Sequence, residues 1–160
     1  MTIDEEMVLN FILLKNATDY WYDVDHNYGL NTSDFFLEDA QFFDLKGREA
    51  IQQFYVWRKA RGARTARHLI TNFRARLVEP GLAHTNYVML LYAGDGEPVL
   101  PSAAPIQISE QEDVCVLCDD GQWRYRTRRF IPIFAGGAPA TVPPADWYDR
   151  HSPKDRPKDR

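Results

Sequence analysis

The amino-acid sequence predicts an α+β fold, with helices at the start of the chain and a long run of antiparallel strands after them. Two observations lead to this prediction. Apolar residues recur at helical spacing in the first part of the chain, and alternating segments separated by short turn sequences follow. Because helices and strands are segregated along the chain, they are expected to form separate layers of one domain. A length of 160 residues agrees with a single domain.

The first helix is predicted to begin at a capping box, since Thr2 and Glu5 have the spacing of that motif. Its apolar face is expected to run to about Trp21. The residues at helical spacing on this face are Ile3, Met7, Phe11, Leu14 and Trp21. The segment DVDHNYGLN, residues 23–31, contains Asn and Gly and is expected to end the helix.

The remainder of the chain is predicted to form two more helices and five strands. The segment TSDFF from Thr32 indicates a second, short helix, and AQFFD indicates a short strand. Residues 47–62 predict another long helix, which Gly62 closes. Four longer strands come next, with EPGL and CDDGQ as turns between them and a Pro-rich connection at residues 94–105. The predicted strands are 66–78, 83–93, 106–118 and 122–133.

The domain is expected to comprise residues 1–135, followed by a Pro/Gly-rich and charged tail at residues 136–160. The last part of the tail, HSPKDRPKDR, repeats PKDR and has no apolar residue to anchor it. We therefore expect that end of the tail to be disordered.

Charge and composition argue against several classes of partner. A net charge of -4 and a pI near 5.5 argue against a nucleic-acid partner, which would need a basic surface. No apolar run reaches the roughly 18 residues of a membrane span. The acidic start MTIDEEMV is unlike a signal peptide, so a cytoplasmic protein is expected. Cys115 and Cys118 would face opposite sides of a strand, which favours reduced core thiols over a zinc site.

The strand that contains RHLITN carries polar residues on a face that is expected to be enclosed. Strict alternation places His68, Ile70, Asn72, Arg74 and Arg76 on one face of this strand. The opposite face would be a plain core stripe formed by Leu69, Thr71, Phe73, Ala75 and Leu77. If the sheet curves round a helix, His68 and Asn72 would be enclosed, and Arg74 and Arg76 would reach solvent.

The last predicted strand is rich in arginine. Alternation places Trp123, Tyr125, Thr127, Arg129 and Ile131 together, so Arg129 is the arginine expected to point inward. The outer row would then consist of Arg124, Arg126 and Arg128, because arginine is seldom buried without a partner. With Phe73 and Leu77, this row would suit an interface in a homo-oligomer, either a dimer or a trimer.

Asp25 and His68 are candidates for a catalytic pair. In a continuing helix, Asp25 would lie one turn beyond Trp21 and Tyr22, at the end of an apolar face. A carboxylate there costs free energy unless a partner satisfies it, and His68 is the obvious candidate. An Asp–His pair can act as a general base near neutral pH. Three alternatives stay open: Asp23 could be the functional carboxylate, Asp25 could only cap the helix, and His68 could be a hydrogen-bonded core histidine.

The motifs FFLEDAQF, KGREAIQQF, RHLITN and DDGQWRYRTRRF together resemble the nuclear-transport-factor-2-like, or SnoaL-like, superfamily. The resemblance covers roughly residues 5–133. It implies a cone-shaped, strongly curved antiparallel sheet wrapped round N-terminal helices, a cystatin-like α+β barrel with one pocket. VDHN and RHLITN resemble the site of scytalone dehydratase and hexachlorocyclohexane dehydrochlorinase, which implies Asp25 and His68 as catalytic residues. The strand motifs are also similar to the non-catalytic β subunits of ring-hydroxylating dioxygenases.

These observations favour a cofactor-independent lyase, dehydratase or isomerase that acts on a small, hydrophobic ring compound. His68 would be the base and Asp25 its partner, with Tyr22 or Arg129 stabilising developing charge. The residues expected to line the pocket are Trp21, Tyr55, Asn72 and Tyr125. We expect neither a cofactor nor a metal ion. The alternative is a non-catalytic dioxygenase β subunit or a module that binds a small ligand.

Overall fold

A computed structural model describes residues 1–136 and 142–151. The fold is α+β, as predicted, and the described residues form three helices, one short 3-10 helix and a six-stranded sheet. In chain order the elements are α1 (Ile3–His26), the 3-10 helix (Thr32–Phe35), β1 (Phe36–Phe42), β2 (Leu45–Lys46), α2 (Arg48–Ala60), β3 (Arg64–Glu79), β4 (Leu82–Asp95), β5 (Gln107–Leu117), β6 (Trp123–Ala135) and α3 (Ala145–His151).

The sheet has the strand order β2-β1-β6-β5-β4-β3. Strands β3 to β6 form the predicted antiparallel run. The pairing of β1 with β6 is parallel, beginning at Phe36 opposite Tyr125, so the sheet is mixed and not wholly antiparallel. One face of the sheet packs against α1 and α2, and the buried core lies between these layers.

The first helix begins as predicted but ends later. The Thr2 hydroxyl accepts from the Glu5 backbone N–H at 3.2 Å, and the Glu5 carboxylate accepts from the Thr2 N–H at 2.7 Å, which completes the capping box. The helix continues to His26 and does not break at residue 23. This extra turn carries Asp25 to the start of β3.

The buried face of α1 differs from the predicted one. Ile3, Met7 and Phe11 are 74%, 58% and 69% exposed. The residues that contact the core are Leu9, Leu13, Ala17, Tyr20, Trp21 and Val24. Trp21 belongs to both the predicted and the observed stripe, and the observed stripe stays apolar to Val24, near the end of the helix.

A β-bulge in β3 reverses the direction of its side chains. Thr71 lies opposite Val88, but the next registered pair is Arg74 with Asn86, so β3 has one residue more than β4 here. Asn72 has φ 55°, a left-handed conformation that asparagine tolerates better than most residues.

Because of this bulge, the inward face changes along β3. Before it, Ala66, His68 and Ile70 point to the core side, and after it Phe73, Ala75 and Leu77 do. The prediction that Asn72 shares the enclosed face with His68 is therefore wrong, and so is the assignment of Phe73 and Leu77 to the opposite face. Asn72 is exposed.

A second irregularity, in β6, reverses the directions in which two neighbouring arginine side chains are predicted to point. Tyr125 lies opposite Cys115 and Thr127 opposite Val114, so Arg126 is the extra residue. Arg128 consequently points into the core and is 1% exposed. The Arg129 side chain is 73% exposed and lies 3.7 Å from Glu112. The prediction that Arg129 points inward and Arg128 outward is wrong, and the predicted interface row loses Arg128, Phe73 and Leu77 to the core.

Residues beyond β6 contribute a short helix. Trp147 of α3 is buried, and its ring centroid lies 6.4 Å from that of Phe54 and 6.3 Å from that of Trp57. The predicted disordered end begins at His151, which is the last residue of α3, and its remaining residues, 152–160, lie outside the described residues. Cys115 is buried, Cys118 is half-buried, and both thiols are free. In the described part of the chain, no helix is long and apolar enough to cross a membrane.

Candidate active site

Asp25 and His68 form a hydrogen-bonded pair between α1 and β3. Asp25 Oδ1 lies 2.6 Å from His68 Nδ1, and Asp25 Oδ2 accepts the backbone N–H of His68 at 2.8 Å. The side chains of His68 and Asp25 are only 5% and 6% exposed. Two contacts from one carboxylate hold both the backbone and the ring of His68, so the orientation of the imidazole is fixed.

Asp23 has a different role, because its contacts lie in the turn after α1. Its carboxylate accepts from Asn27 Nδ2 at 2.9 Å, from the Asn31 backbone N–H at 3.0 Å and from Asn31 Nδ2 at 3.1 Å. The turn also needs Gly29, which has φ 77° and lies where any Cβ would collide with the Tyr55 ring. Asp23 therefore stabilises the turn, and Asp25 is the carboxylate that contacts His68.

The His68 ring is held on its face as well as at its edge. The Trp21 ring stacks on it with a centroid distance of 4.0 Å and an interplanar angle of 13°. Trp21 is itself fixed by a hydrogen bond from Nε1 to the Tyr87 hydroxyl at 3.0 Å. With Nδ1–H donating to Asp25, the tautomer assigned from these contacts leaves Nε2 as an acceptor. Within the described residues, Nε2 has no protein partner.

Burial keeps His68 neutral. Desolvation lowers the pKa of His68 below its ordinary value of 6.5, and the hydrogen bond and charge of Asp25 oppose this effect. The positive charges of Arg58 and Arg128 lower the pKa further. A neutral imidazole with a free Nε2 is the form that can accept a proton near neutral pH.

A cavity of about 380 Å³ opens beside this pair. Its described wall is mainly aromatic and aliphatic, and includes no carboxylate. The apolar lining residues are Trp21, Phe42, Phe43, Phe54, Tyr55, Met89, Leu91, Ala93, Phe130, Pro132 and Val142. The polar ones are Arg58, Arg64, His68 and Gln107. These dimensions and this lining suit a small, mostly apolar molecule with a few polar groups.

A buried ion pair lies behind the wall of the cavity. Arg128 Nε lies 3.2 Å from Asp113 Oδ1, and both side chains are completely buried. Arg128 Nη2 also donates to the Tyr87 hydroxyl, which in turn accepts from Trp21. The Arg128 guanidinium carbon lies 4.0 Å from the centroid of the Tyr20 ring. Arg128 is thus joined to the Trp21 ring that stacks on His68.

The Asp113 carboxyl is strongly affected by its surroundings. Burial raises the pKa of Asp113 to about 6, although the charge of Arg128 opposes this rise. Thr85 and Gln111 donate further hydrogen bonds to the same carboxyl, at 3.4 and 3.3 Å. Removal of Arg128 would therefore leave a buried acid whose charge is poorly compensated.

The other residues predicted for the site are divided between the cavity and the rest of the molecule. Trp21 and Tyr55 line the cavity. Tyr125 is buried within the core, outside the cavity lining, and its hydroxyl has no protein partner among the described residues. Tyr22 is 66% exposed and stacks on His26, so the structure does not bring it to His68. Asn72 and Arg129 are exposed, as described for the two bulges.

Several residues of the site are not among those predicted from the sequence. Arg58 and Phe54 are four residues apart on one face of α2, a spacing that could have indicated Arg58 as a neighbour of the predicted pocket. Arg64 precedes the predicted start of its strand by two residues. Arg128 was assigned to the outer row because alternation alone does not reveal a bulge.

Comparison with known proteins agrees with this architecture. No family model matches the chain, and no curated protein is significantly similar to it. Among solved structures, a protein from Novosphingobium aromaticivorans provisionally named a scytalone dehydratase is 18% identical with a TM-score of 0.74, covering 98% of this chain and 100% of its own. A protein of unknown function with a cystatin-like fold, from Nostoc punctiforme, is 17% identical with a TM-score of 0.61, covering 76% and 89%.

The chain has a cystatin-like α+β fold. A third structure with this fold, ActVI-ORFA from Streptomyces coelicolor, is 16% identical with a TM-score of 0.66, and the match covers 77% of this chain and 96% of that one. The resemblance predicted from the strand motifs is thus confirmed for the fold. At such identities the likeness concerns architecture, so a function has to be argued from the site itself.

Proposed function

We propose that the protein is a cofactor-independent lyase, dehydratase or isomerase that removes a proton from carbon in a small, hydrophobic, ring-containing substrate. The observation that carries this proposal is the 2.6 Å contact between Asp25 and His68 beside an aromatic cavity. His68 Nε2 is the base, and Asp25 holds the ring and stabilises the imidazolium that forms. Trp21 and Tyr55 supply apolar surface for the ring of the substrate.

The proposed step balances within the substrate and His68. Nε2 takes the proton, and the electron pair of the broken C–H bond moves into an adjacent carbonyl group to form an enolate. In an isomerase, the imidazolium returns the proton to another carbon. In a dehydratase, the electron pair expels a β-hydroxyl group, which takes the proton and leaves as water. A base of this kind supplies about 10²–10⁴-fold of rate.

Exchange of carbon-bound hydrogen in heavy water tests the base directly, without knowledge of the complete reaction. A panel of bicyclic aromatic ketones, with and without a carboxylate group, is incubated with the protein in D₂O, and deuterium uptake is followed by NMR. We expect the wild type to exchange at least one member, and His68→Gln to lower that rate about 10²–10⁴-fold.

His84→Gln is the matched control for this experiment, because His84 is exposed on β4 and is not part of the cavity lining. Its exchange rate should equal that of the wild type. The catalytic proposal fails if His68→Gln retains the rate. If the wild type binds panel members and exchanges none of them, a non-catalytic ligand-binding module or dioxygenase β subunit becomes the better description.

The acid side of the pH–rate profile should report His68. Because burial places its folded-state pKa below 6.5, the neutral form persists at pH 7 and is lost only at lower pH. We expect a rate that is constant around neutrality and falls with a midpoint below pH 6.5, measured by the same exchange experiment. A midpoint above pH 7 would contradict the assignment. The stability of the fold should also fall as the pH is lowered. The unfolded chain binds a proton at His68 more readily than the folded chain does, so protonation of this group favours unfolding.

We also propose that the protein forms a homo-oligomer through the exposed apolar stripe of α1. Ile3, Met7 and Phe11 lie at successive turns of the helix, and Val8 and Ile12 are 56% and 43% exposed beside them. A contiguous apolar patch of this kind is typical of a protein–protein contact. Phe11→Asp should shift the sedimentation coefficient toward that of a monomer, whereas Val56→Asp, the same type of change on α2, should not. A wild type that sediments as a monomer would contradict the proposal.

A further inference from the structure

Two arginines stand at the end of the cavity where Asp25 meets His68. Arg58, near the end of α2, and Arg64, at the start of β3, both line the main cavity. Both also line a small crevice that Asp25 borders. The two arginines therefore share one end of the site, and the remainder of its wall is mainly aromatic and aliphatic.

Arg58 has no acidic partner among the described residues. Its guanidinium carbon lies 5.9 Å from the centroid of the Phe54 ring and 5.7 Å from that of Tyr55, so it rests along the aromatic wall. It is half-buried, and its charge reaches His68 strongly enough to lower the pKa of that ring. A half-buried arginine held only by ring contacts leaves its N–H donors available to a bound molecule.

Arg64 is only partly satisfied. Its Nη1 donates to Asp95 at 2.7 Å, but the side chain of Asp95 is 75% exposed while that of Arg64 is 14% exposed. Its Nη2 is buried and has no protein partner among the described residues. Buried donors without partners cost free energy, which a bound acceptor that reaches this group would recover.

We propose that the cavity binds a planar, apolar molecule that carries a carboxylate, and that this carboxylate accepts hydrogen bonds from Arg58 and Arg64. The planar guanidinium group matches the geometry of a carboxylate, and no carboxylate of the described wall competes for that of Arg58. Asp25 is already engaged by the ring and the backbone of His68. The substrate class of the proposed reaction is therefore an aromatic or similarly planar organic acid, oriented with its charged end beside His68.

This inference rests on the proposed function, since it names the substrate class of the same site. Its test is equilibrium binding and not turnover, so the two proposals can fail separately. Naphthoate and the uncharged naphthamide have nearly the same shape and differ in the charged group. Their dissociation constants are measured by calorimetry against the wild type, Arg58→Met and the control Arg61→Met, in which an exposed arginine three residues farther along the chain is removed.

The wild type should bind naphthoate about 10- to 100-fold more tightly than naphthamide, the usual effect of a charge-assisted hydrogen bond. Arg58→Met should remove most of this preference, and Arg61→Met should keep it. His68→Gln should also keep it, which separates recognition of the acid from proton abstraction. The inference is overturned if the wild type binds naphthoate no more tightly than naphthamide, or if Arg58→Met retains the preference. The wild-type comparison decides the question even if Arg58→Met does not fold.

Discussion

Arg128→Met is expected to lower the free energy of unfolding by about 3–5 kcal/mol, the usual cost of removing one partner of a buried ion pair. Arg128 and Asp113 are completely buried and 3.2 Å apart. The substitution leaves the Asp113 carboxyl without its cation and removes the donor that holds the Tyr87 hydroxyl. Chemical denaturation at fixed pH measures the loss.

The loss should depend on pH in a defined direction. Burial already raises the pKa of Asp113 to about 6, and without Arg128 this pKa rises further because the opposing charge is gone. In the folded variant, Asp113 then binds a proton more readily than it does in the unfolded chain. The stability of the variant therefore falls as the pH rises from the unfolded-state pKa of Asp113 through its folded-state pKa. We therefore expect Arg128→Met to be closer to the wild type at pH 5 than at pH 7.5.

Two further variants show whether the ion pair is responsible. Arg129→Met removes the adjacent, exposed arginine and should change the stability by no more than about 0.5 kcal/mol. The double variant Arg128→Met/Asp113→Leu should be more stable than Arg128→Met alone, because no unpaired buried charge remains. Equal losses from Arg128→Met and Arg129→Met would show that Arg128 is not buried as described.

Asp25→Asn is expected to lower the exchange rate about 10²–10⁴-fold, an effect similar to that of His68→Gln. An amide at this position has only one acceptor atom for the two donors of His68. If its NH₂ group faces Nδ1, the ring must take the other tautomer, in which Nε2 carries the hydrogen and cannot accept a proton. The variant is compared with the wild type in the same heavy-water exchange experiment.

Asp23→Asn is the matched control, because the same change is made two residues earlier on the same helix. Asp23 stabilises the turn through Asn27 and Asn31. The control should therefore lose some thermal stability and keep its exchange rate. The double variant Asp25→Asn/His68→Gln should be no slower than the slower single variant, since the two residues act as one unit. A fast Asp25→Asn together with a slow Asp23→Asn would overturn the proposed pair.

Several features were predictable from local sequence patterns. The capping box at Thr2 needs only two residues three positions apart, and both of its hydrogen bonds are present. The order of helices and strands followed from periodicity and turn residues, whose effects act over a few neighbours. The pairing of Asp25 with His68 followed from the cost of a carboxylate on an apolar helix face.

The errors about which residues of β3 and β6 point inward share one cause, which is the bulges in these two strands. Each adds a residue on one strand, and each reverses the faces of the residues that follow. Strict alternation therefore predicts Asn72 and Arg129 on the enclosed faces, Phe73 on the face opposite His68 and Arg128 in the outer row. Alternation within a single strand contains no information about the partner strand, so pattern analysis alone could not locate these positions.

The sequence thus specifies the element order, the α+β class and the histidine–aspartate partnership, because each depends on near neighbours or on the energetic cost of one exposed or buried group. The pairing of strands over long distances decides which arginine is buried, which faces solvent and which lines the cavity. Arg58, Arg64 and Arg128 are similar in chemistry and differ only in what the folded chain packs against them. Their separate roles arise from burial and from the charges of partners distant in the sequence, such as Asp95 and Asp113.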